Sequence, residues 1–178
     1  MRCRRTRLEK SSNASSAGPS TLFAYIRSSV PQKGGCMPKS REIMTANPVA
    51  CHAEDPIVSV ADTMRKEDIG SLPVVDSPEQ RLVGIVTDRD IVVKIVAAGR
   101  DIRSATVKDA MTPNPVSVPE DADVDEAVHV MSQRQIRRVP VVDANGKLTG
   151  IVSQADIATR AHHDRTTGEL VEAISERG

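Results

Sequence analysis

Two short segments carry the residue types that a ligand site needs. Thr87-Asp88-Arg89-Asp90 and Ser153-Gln154-Ala155-Asp156 each set a hydroxyl three residues before a carboxylate. Both sit where an apolar, strand-like run gives way to a helix-like pattern. At such a turn the hydroxyl and the carboxylate fall on one side of the first helical turn. A helix start has N–H groups without intrahelical partners and a partial positive charge, which suits phosphate. The carboxylate can accept both hydroxyls of a ribose. The same spacing is also a capping box, in which the acid bonds back to the N–H of the cap residue. The pattern alone leaves both readings open.

The two segments belong to an internal repeat. Met44-Thr45-Ala46-Asn47-Pro48-Val49 returns as Met111-Thr112-Pro113-Asn114-Pro115-Val116, and Leu72-Pro73-Val74-Val75-Asp76 returns as Val139-Pro140-Val141-Val142-Asp143. Leu82-Val83-Gly84-Ile85-Val86-Thr87 returns as Leu148-Thr149-Gly150-Ile151-Val152-Ser153, at an offset of about 67 residues throughout. A unit of that size buries too little surface to stand alone, so the copies should pack as one body.

Each copy reads as strand, helix, strand, strand, helix. A brief strand is expected around Val49 and Val116. The first helix has Asp55-Pro56 at its start, as a cap and first-turn proline. Ile57, Val60, Ala61 and Met64 then share one face, matched by Val124, Ala127, Val128 and Met131. Apolar runs at 72–75 and 82–86, and at 139–142 and 148–152, read as buried strand pairs, with Asn145-Gly146 as a hairpin signal. Closing helices are expected over Asp88–Ala98, stopped by Gly99, and over Gln154–Ala161. The amphipathic segment Leu170–Ile174 predicts a last helix within 164–178.

Charge is divided along the chain. Residues 1–36 hold seven of the 24 Lys and Arg and one of the 24 acids. That leaves 17 basic and 23 acidic residues in 37–178. The acidic body argues against a nucleic-acid surface, and no apolar run is long enough for a membrane helix. The tail 1–36 reads as disordered. It is a dispensable extension ahead of a start at Met37, an organelle-targeting segment, or a flexible basic arm. A cytoplasmic location is expected, or an organelle if the tail is a transit peptide. Cys3, Cys36 and Cys51 make no paired spacing, which predicts neither a disulfide framework nor a metal knuckle. Cys51 is expected to be a buried strand cysteine rather than a redox centre.

The repeated signatures resemble the cystathionine-β-synthase (CBS) domain. The Met-Thr-x-x-Pro-Val opening, the Pro-Val-Val-Asp strand and the Gly-Ile-Val-Thr/Ser-x-x-Asp turn all occur in both copies. Two in tandem resemble a Bateman module, like the small stand-alone bacterial CBS-pair proteins of the hypoxic-response type. The resemblance implies an α+β, sandwich-like fold, with repeats at 40–100 and 107–163 packed as a pseudo-twofold pair. It implies that Thr87, Asp90, Ser153 and Asp156 hold the ribose and phosphates of an adenosine-type ligand, with Val49 and Val116 against adenine. Arg137 and Arg138 stand where many such pairs reach for phosphate, whereas the first copy has Gly70-Ser71. That difference places a charged nucleotide at the side bearing Asp156. The alternative is that the two arginines are solvated surface charges.

The expected function is a non-catalytic regulatory module binding AMP, ADP, ATP, S-adenosylmethionine or a similar ligand between its repeats, with no required cofactor. The alternative is a ligand-free structural or protein-interaction module. No nucleophile–base constellation or glycine-rich phosphate loop points to catalysis. His162-His163 reads as a surface pair at a helix end, and His52 and His129 take no role. The helix 88–98 carries more apolar residues than one core face needs, which predicts a homodimer through such helices. The alternative is that this helix is buried within its own subunit. A protein partner of unknown identity is expected to receive the signal.

Overall fold

The computed structural model describes residues 38–160. The tail 1–36, Met37, His162-His163 and the expected helix within 164–178 lie outside the described residues.

The first repeat comprises α1 (Ser40–Ile43), β1 (Thr45–Ala46), α2 (Ile57–Glu67), β2 (Ser71–Val75), β3 (Leu82–Thr87) and α3 (Asp88–Ile91), which continues into a wider helical turn, Val92–Val96. The second comprises α4 (Val107–Ala110), β4 (Thr112–Pro113), β5 (Val118–Pro119), α5 (Val124–Arg134), β6 (Arg138–Val142), β7 (Leu148–Ser153) and α6 (Gln154–Arg160). The fold is α+β. One sheet runs β1-β7-β6-β5 and the other β2-β3-β4. The β5–β6 pair is parallel, and the other strand pairs are antiparallel.

The opening strands are exchanged between repeats. Thr45 pairs with Ile151 of the second repeat, and Thr112 pairs with Ile85 of the first. The cores follow the exchange. Ile43 packs with Val118, Met131, Val139 and Val152. Val107 and Ala110 pack with Ile57, Leu72, Val86 and Ile95. Neither repeat therefore closes its own core. The hairpins also meet edge to edge, where Leu82 N donates to Gly146 O (3.1 Å) and Leu148 N donates to Gln80 O (3.1 Å).

This exchange explains the glycine in each Gly-Ile-Val run. A Cβ on Gly84 would come 2.8 Å from Met111 Sδ. A Cβ on Gly150 would overlap Met44. Each methionine of the Met-Thr signature thus lies over the glycine of the other repeat. Asn47 (φ 48°) and Asn114 (φ 49°) take the left-handed conformation that asparagine tolerates better than most residues. Their N–H groups donate to Thr149 O and Val83 O, both at 3.0 Å.

The structure corrects three expectations. The brief strands lie before the Asn-Pro pairs, at Thr45–Ala46 and Thr112–Pro113. Val49 and Val116 are 43% and 36% exposed; Pro48 and Pro115 lack the N–H that a ladder needs, and pairing resumes at Cys51 and Val118. Asp55 does not cap α2. Its carboxylate accepts from His52 N (2.8 Å), while Ile57 N donates to Ala105 O (3.0 Å). The helix from Asp88 widens after Ile91, with five-residue bonds from Ala97 N to Val92 O (2.8 Å) and Arg100 N to Ile95 O (3.0 Å). Gly99 follows at φ 67°. The helix faces do bury Ile57, Val60 and Met64, and Val124, Ala127, Val128 and Met131.

Candidate functional site

Both hydroxyl–acid pairs form complete capping boxes. Thr87 N donates to Asp90 Oδ2 (3.1 Å), and Asp90 N donates to Thr87 Oγ1 (3.1 Å). Ser153 N donates to Asp156 Oδ2 (2.9 Å), and Asp156 N donates to Ser153 Oγ (3.1 Å). A cation one turn on completes each group. Lys94 Nζ lies 2.9 Å from Asp90 Oδ1, and Arg160 Nη1 lies 3.3 Å from Asp156 Oδ1. The same cations tie down the exchanged segments. Lys94 donates to Ala110 O (2.7 Å) at the end of α4, and Arg160 donates to Ile43 O (2.9 Å) at the end of α1.

A cavity of about 320 Å³ opens beside the second of these groups. The first repeat supplies Asn47, Val49, Glu67 and Ser71 to its wall, and the second supplies Arg138, Ser153 and Asp156. The volume lies at the lower end of small-molecule sites, which run from about 300 to 1,000 Å³. Ser71 is 7% exposed, and its Oγ has no hydrogen-bond partner.

The CBS domain family profile matches residues 41–97 and 107–163. The chain belongs to the CBS-domain family. It is 42% identical over 140 residues to the uncharacterized protein YlbB of Bacillus subtilis, covering 79% of this chain and 93% of that one. It is 39% identical over 122 residues to hypoxic response protein 1 of Mycobacterium tuberculosis, covering 68% and 84%. Among solved structures it resembles Hypoxic Response Protein I with two coordinated zinc ions (37% identity, TM-score 0.63, 69% of this chain and 98% of that). It also resembles the CBS domain pair of protein MJ0100 in complex with 5′-methylthioadenosine and S-adenosyl-L-methionine (32%, 0.62, 75% and 98%). A third likeness is to CBSX2 in complex with AMP (26%, 0.58, 67% and 92%).

Of the residues singled out in the sequence of this CBS pair, the cavity brings together Val49, Arg138, Ser153 and Asp156. Thr87, Asp90 and Val116 are the repeat counterparts of Ser153, Asp156 and Val49 and do not line this cavity. Arg137 is exposed and contributes its carbonyl to Gln154 N (2.9 Å). Sequence reasoning did not single out Glu67 or Asn47, and it named Ser71 only by contrast with the arginines. It also missed Lys94 and Arg160, although both stand four residues after a site acid, a spacing at which helical side chains meet.

Among the described residues, no cluster of three or more His, Cys, Asp or Glu could hold a metal. No described helix is long and apolar enough to cross a membrane. Cys51 is buried, and burial followed by the nearby Asp55 carboxylate pushes its thiol up to about 12. It stays protonated at neutral pH and serves as core.

Burial opposes ionisation of Asp90, but hydrogen bonds from Thr87 and Lys94 outweigh it and hold the carboxyl below the ordinary range. A folded value below the unfolded one, about 3.9, stabilises fully above that pH. The contribution is lost as pH falls through the folded value. Lys94→Met is therefore expected to flatten the loss of stability between about pH 5 and 2 in denaturant melts. Parallel wild-type and variant curves over that range would contradict the assignment.

Proposed function

We propose that this CBS pair is a non-catalytic regulatory module that binds an adenosine-containing ligand between its repeats. The observation that carries the reading is the cavity, walled by both repeats, with Ser153 and Asp156 in its lining. Complexes of related pairs with AMP, and with methylthioadenosine and S-adenosylmethionine, support that ligand class. In this reading Asp156 accepts the ribose hydroxyls and the half-exposed Val49 lies against the adenine. Asp90, Thr87 and Val116 form the related set. Arg137 and Arg138 are the cations that can reach a phosphate.

The hydrogen bonds supply a route for the signal. A ribose hydroxyl on Asp156 competes with Ser153 and Arg160 for the carboxylate oxygens. Arg160 is also the link to α1, so occupancy of the site changes the hold on an exchanged segment. A ligand that binds one arrangement better shifts the population toward it.

On α3, Val92, Val93 and Val96 are 56%, 53% and 57% exposed, while Ile91 and Ile95 are buried. The helix is not buried on all sides within its own chain. We assign the exposed valines to a homodimer interface and the module to the cytoplasm, with its output passed to another protein.

A second reading, an interaction module without a small ligand, draws on the capping boxes, which are complete without any ligand. Thermal unfolding separates the two. Ligand at about 100 times its dissociation constant should add about 2.7 kcal/mol. The expected result is a rise of several degrees with an adenosine ligand that disappears in Asp156→Ala and Asp90→Ala together. No rise with AMP, ATP, S-adenosylmethionine or methylthioadenosine would favour the interaction module.

A further inference from the structure

The two repeats share a fold but not an outer surface. Besides the valines after α3, Val58 on α2 and Ile102 in the connection between the repeats are exposed. Helices α2 and α3 pack side by side on one core, through Ile57, Val60, Met64, Ile91 and Ile95, so their outer sides make one face. The connection stays at the same end, since Arg100 N donates to Ile95 O (3.0 Å) and Ala105 O accepts from Ile57 N (3.0 Å). Ile102 lies between these two anchors. In the second repeat Val58 is matched by Asp125, Val92 by Ala158 and Val93 by Thr159, and all three replacements are exposed. Among the described residues, no large apolar side chain is exposed on α5 or α6.

The face of the first repeat can meet a copy of itself. Charges on its helices are matched within the chain: Asp62 pairs with Arg65 (2.7 Å) and Lys66 (2.6 Å), and Asp90 with Lys94 (2.9 Å). An isologous contact sets valine against valine and leaves neutralised charges around it. The face of the second repeat has no such match. Glu120, Asp121, Asp123, Asp125 and Glu126 crowd the start of α5, with Lys39 paired to Asp123. A twofold contact there sets acid against acid, which is costly. Turning the valines onto the second repeat of another copy would bury Asp125 and Glu126 against apolar side chains, and burying a carboxylate without a partner is costlier still.

We propose that two copies of this chain join through their first repeats alone, valine face to valine face about a twofold axis. The helical face of the second repeat stays outside the contact, and the acids at the start of α5 stay in solvent. This rests on the homodimer reading above and fixes which half of the chain makes the contact.

The test is cross-linking of the full chain carrying Cys3→Ser and Cys36→Ser, in which the remaining native thiol, Cys51, is buried. One cysteine is added at either of two repeat-related positions, Val93→Cys or Thr159→Cys, and each chain is treated with a short bismaleimide. Val93→Cys is expected to give at least about tenfold more covalent dimer than Thr159→Cys, because only its copies meet across the axis. In light scattering, Val58→Glu should raise the dissociation constant at least about tenfold, whereas Asp125→Asn with Glu126→Gln should leave it within about twofold. A Val93→Cys dimer that does not cross-link, equal yields from the two cysteines, or linkage only in a mixture of the two would overturn this proposal alone. So would a tenfold response of the Asp125, Glu126 variant. A wild-type chain that stays monomeric at about 50 μM would overturn the homodimer reading and this proposal with it.

Discussion

A Gly150→Val chain is expected to lose about 3 kcal/mol of stability and about 10 °C of melting temperature. A Cβ at this position would come 2.7 Å from Met44 Cγ and 3.1 Å from Met44 Cβ, besides the overlap with Sδ. Met44 leads directly into β1, so the clash pushes the exchanged strand away from β7. Movement of β1 would pull on Ile43, which is 2% exposed in the second core. Gly84→Val should do the same through Met111, since a Cβ there would also stand a tight 3.3 Å from the buried Val74 Cβ. A double-mutant cycle gives the sharper readout. Met44→Ala should recover part of the loss in Gly150→Ala, because contacting residues couple and distant ones do not. Additive losses would mean that Met44 is not seated over Gly150.

Val93→Glu with Val96→Glu is expected to raise the dissociation constant of the proposed homodimer at least about a hundredfold. A charge at the centre of an apolar interface has no partner and costs several kcal/mol to desolvate. The fold itself should be untouched, since both valines are more than half exposed. Light scattering behind size exclusion should show the mass of two chains for the wild type at about 50 μM and of one chain for the variant. A wild type that stays monomeric at that concentration, or a variant that stays dimeric, would remove α3 as the interface. The counterpart of Val93 at the end of the second repeat is Thr159, a poorer anchor.

Much of this architecture can be read in the chain because the repeat shows each element twice. The apolar faces of α2 and α5, the strand pairs and the capping boxes follow from local spacing alone. The exchange of β1 and β4 does not. Thr45 pairs with Ile151, more than a hundred residues away, and hairpin rules look only at neighbouring runs. The same blind spot hid why Met44 and Gly150 belong together, although both are repeated signatures. Glu67 escaped notice because an acid in the last turn of an amphipathic helix reads as a solvated charge. In the structure it lines the same cavity as Asp156. Val49 was expected in a strand because its run is apolar, but the left-handed Asn47 and Pro48 turn the chain out of the ladder first. The widened turn after Ile91 has no composition of its own, since Val, Ile and Lys serve either helix. Lys94 and Arg160 were legible in principle from their four-residue spacing to the site acids. What spacing cannot show is that both also hold the ends of α4 and α1.

The central claim is that an adenosine ligand sits against the capping acids between the repeats. The most direct measurement is calorimetric binding of AMP, ATP, S-adenosylmethionine and methylthioadenosine to the wild-type chain and to the Asp90→Ala, Asp156→Ala double variant. Binding of at least one of them to the wild type, lost in a double variant that still unfolds cooperatively, is the predicted result. Binding that survives removal of both carboxylates would place the ligand elsewhere, and no binding to the wild type would leave the acids as helix caps alone.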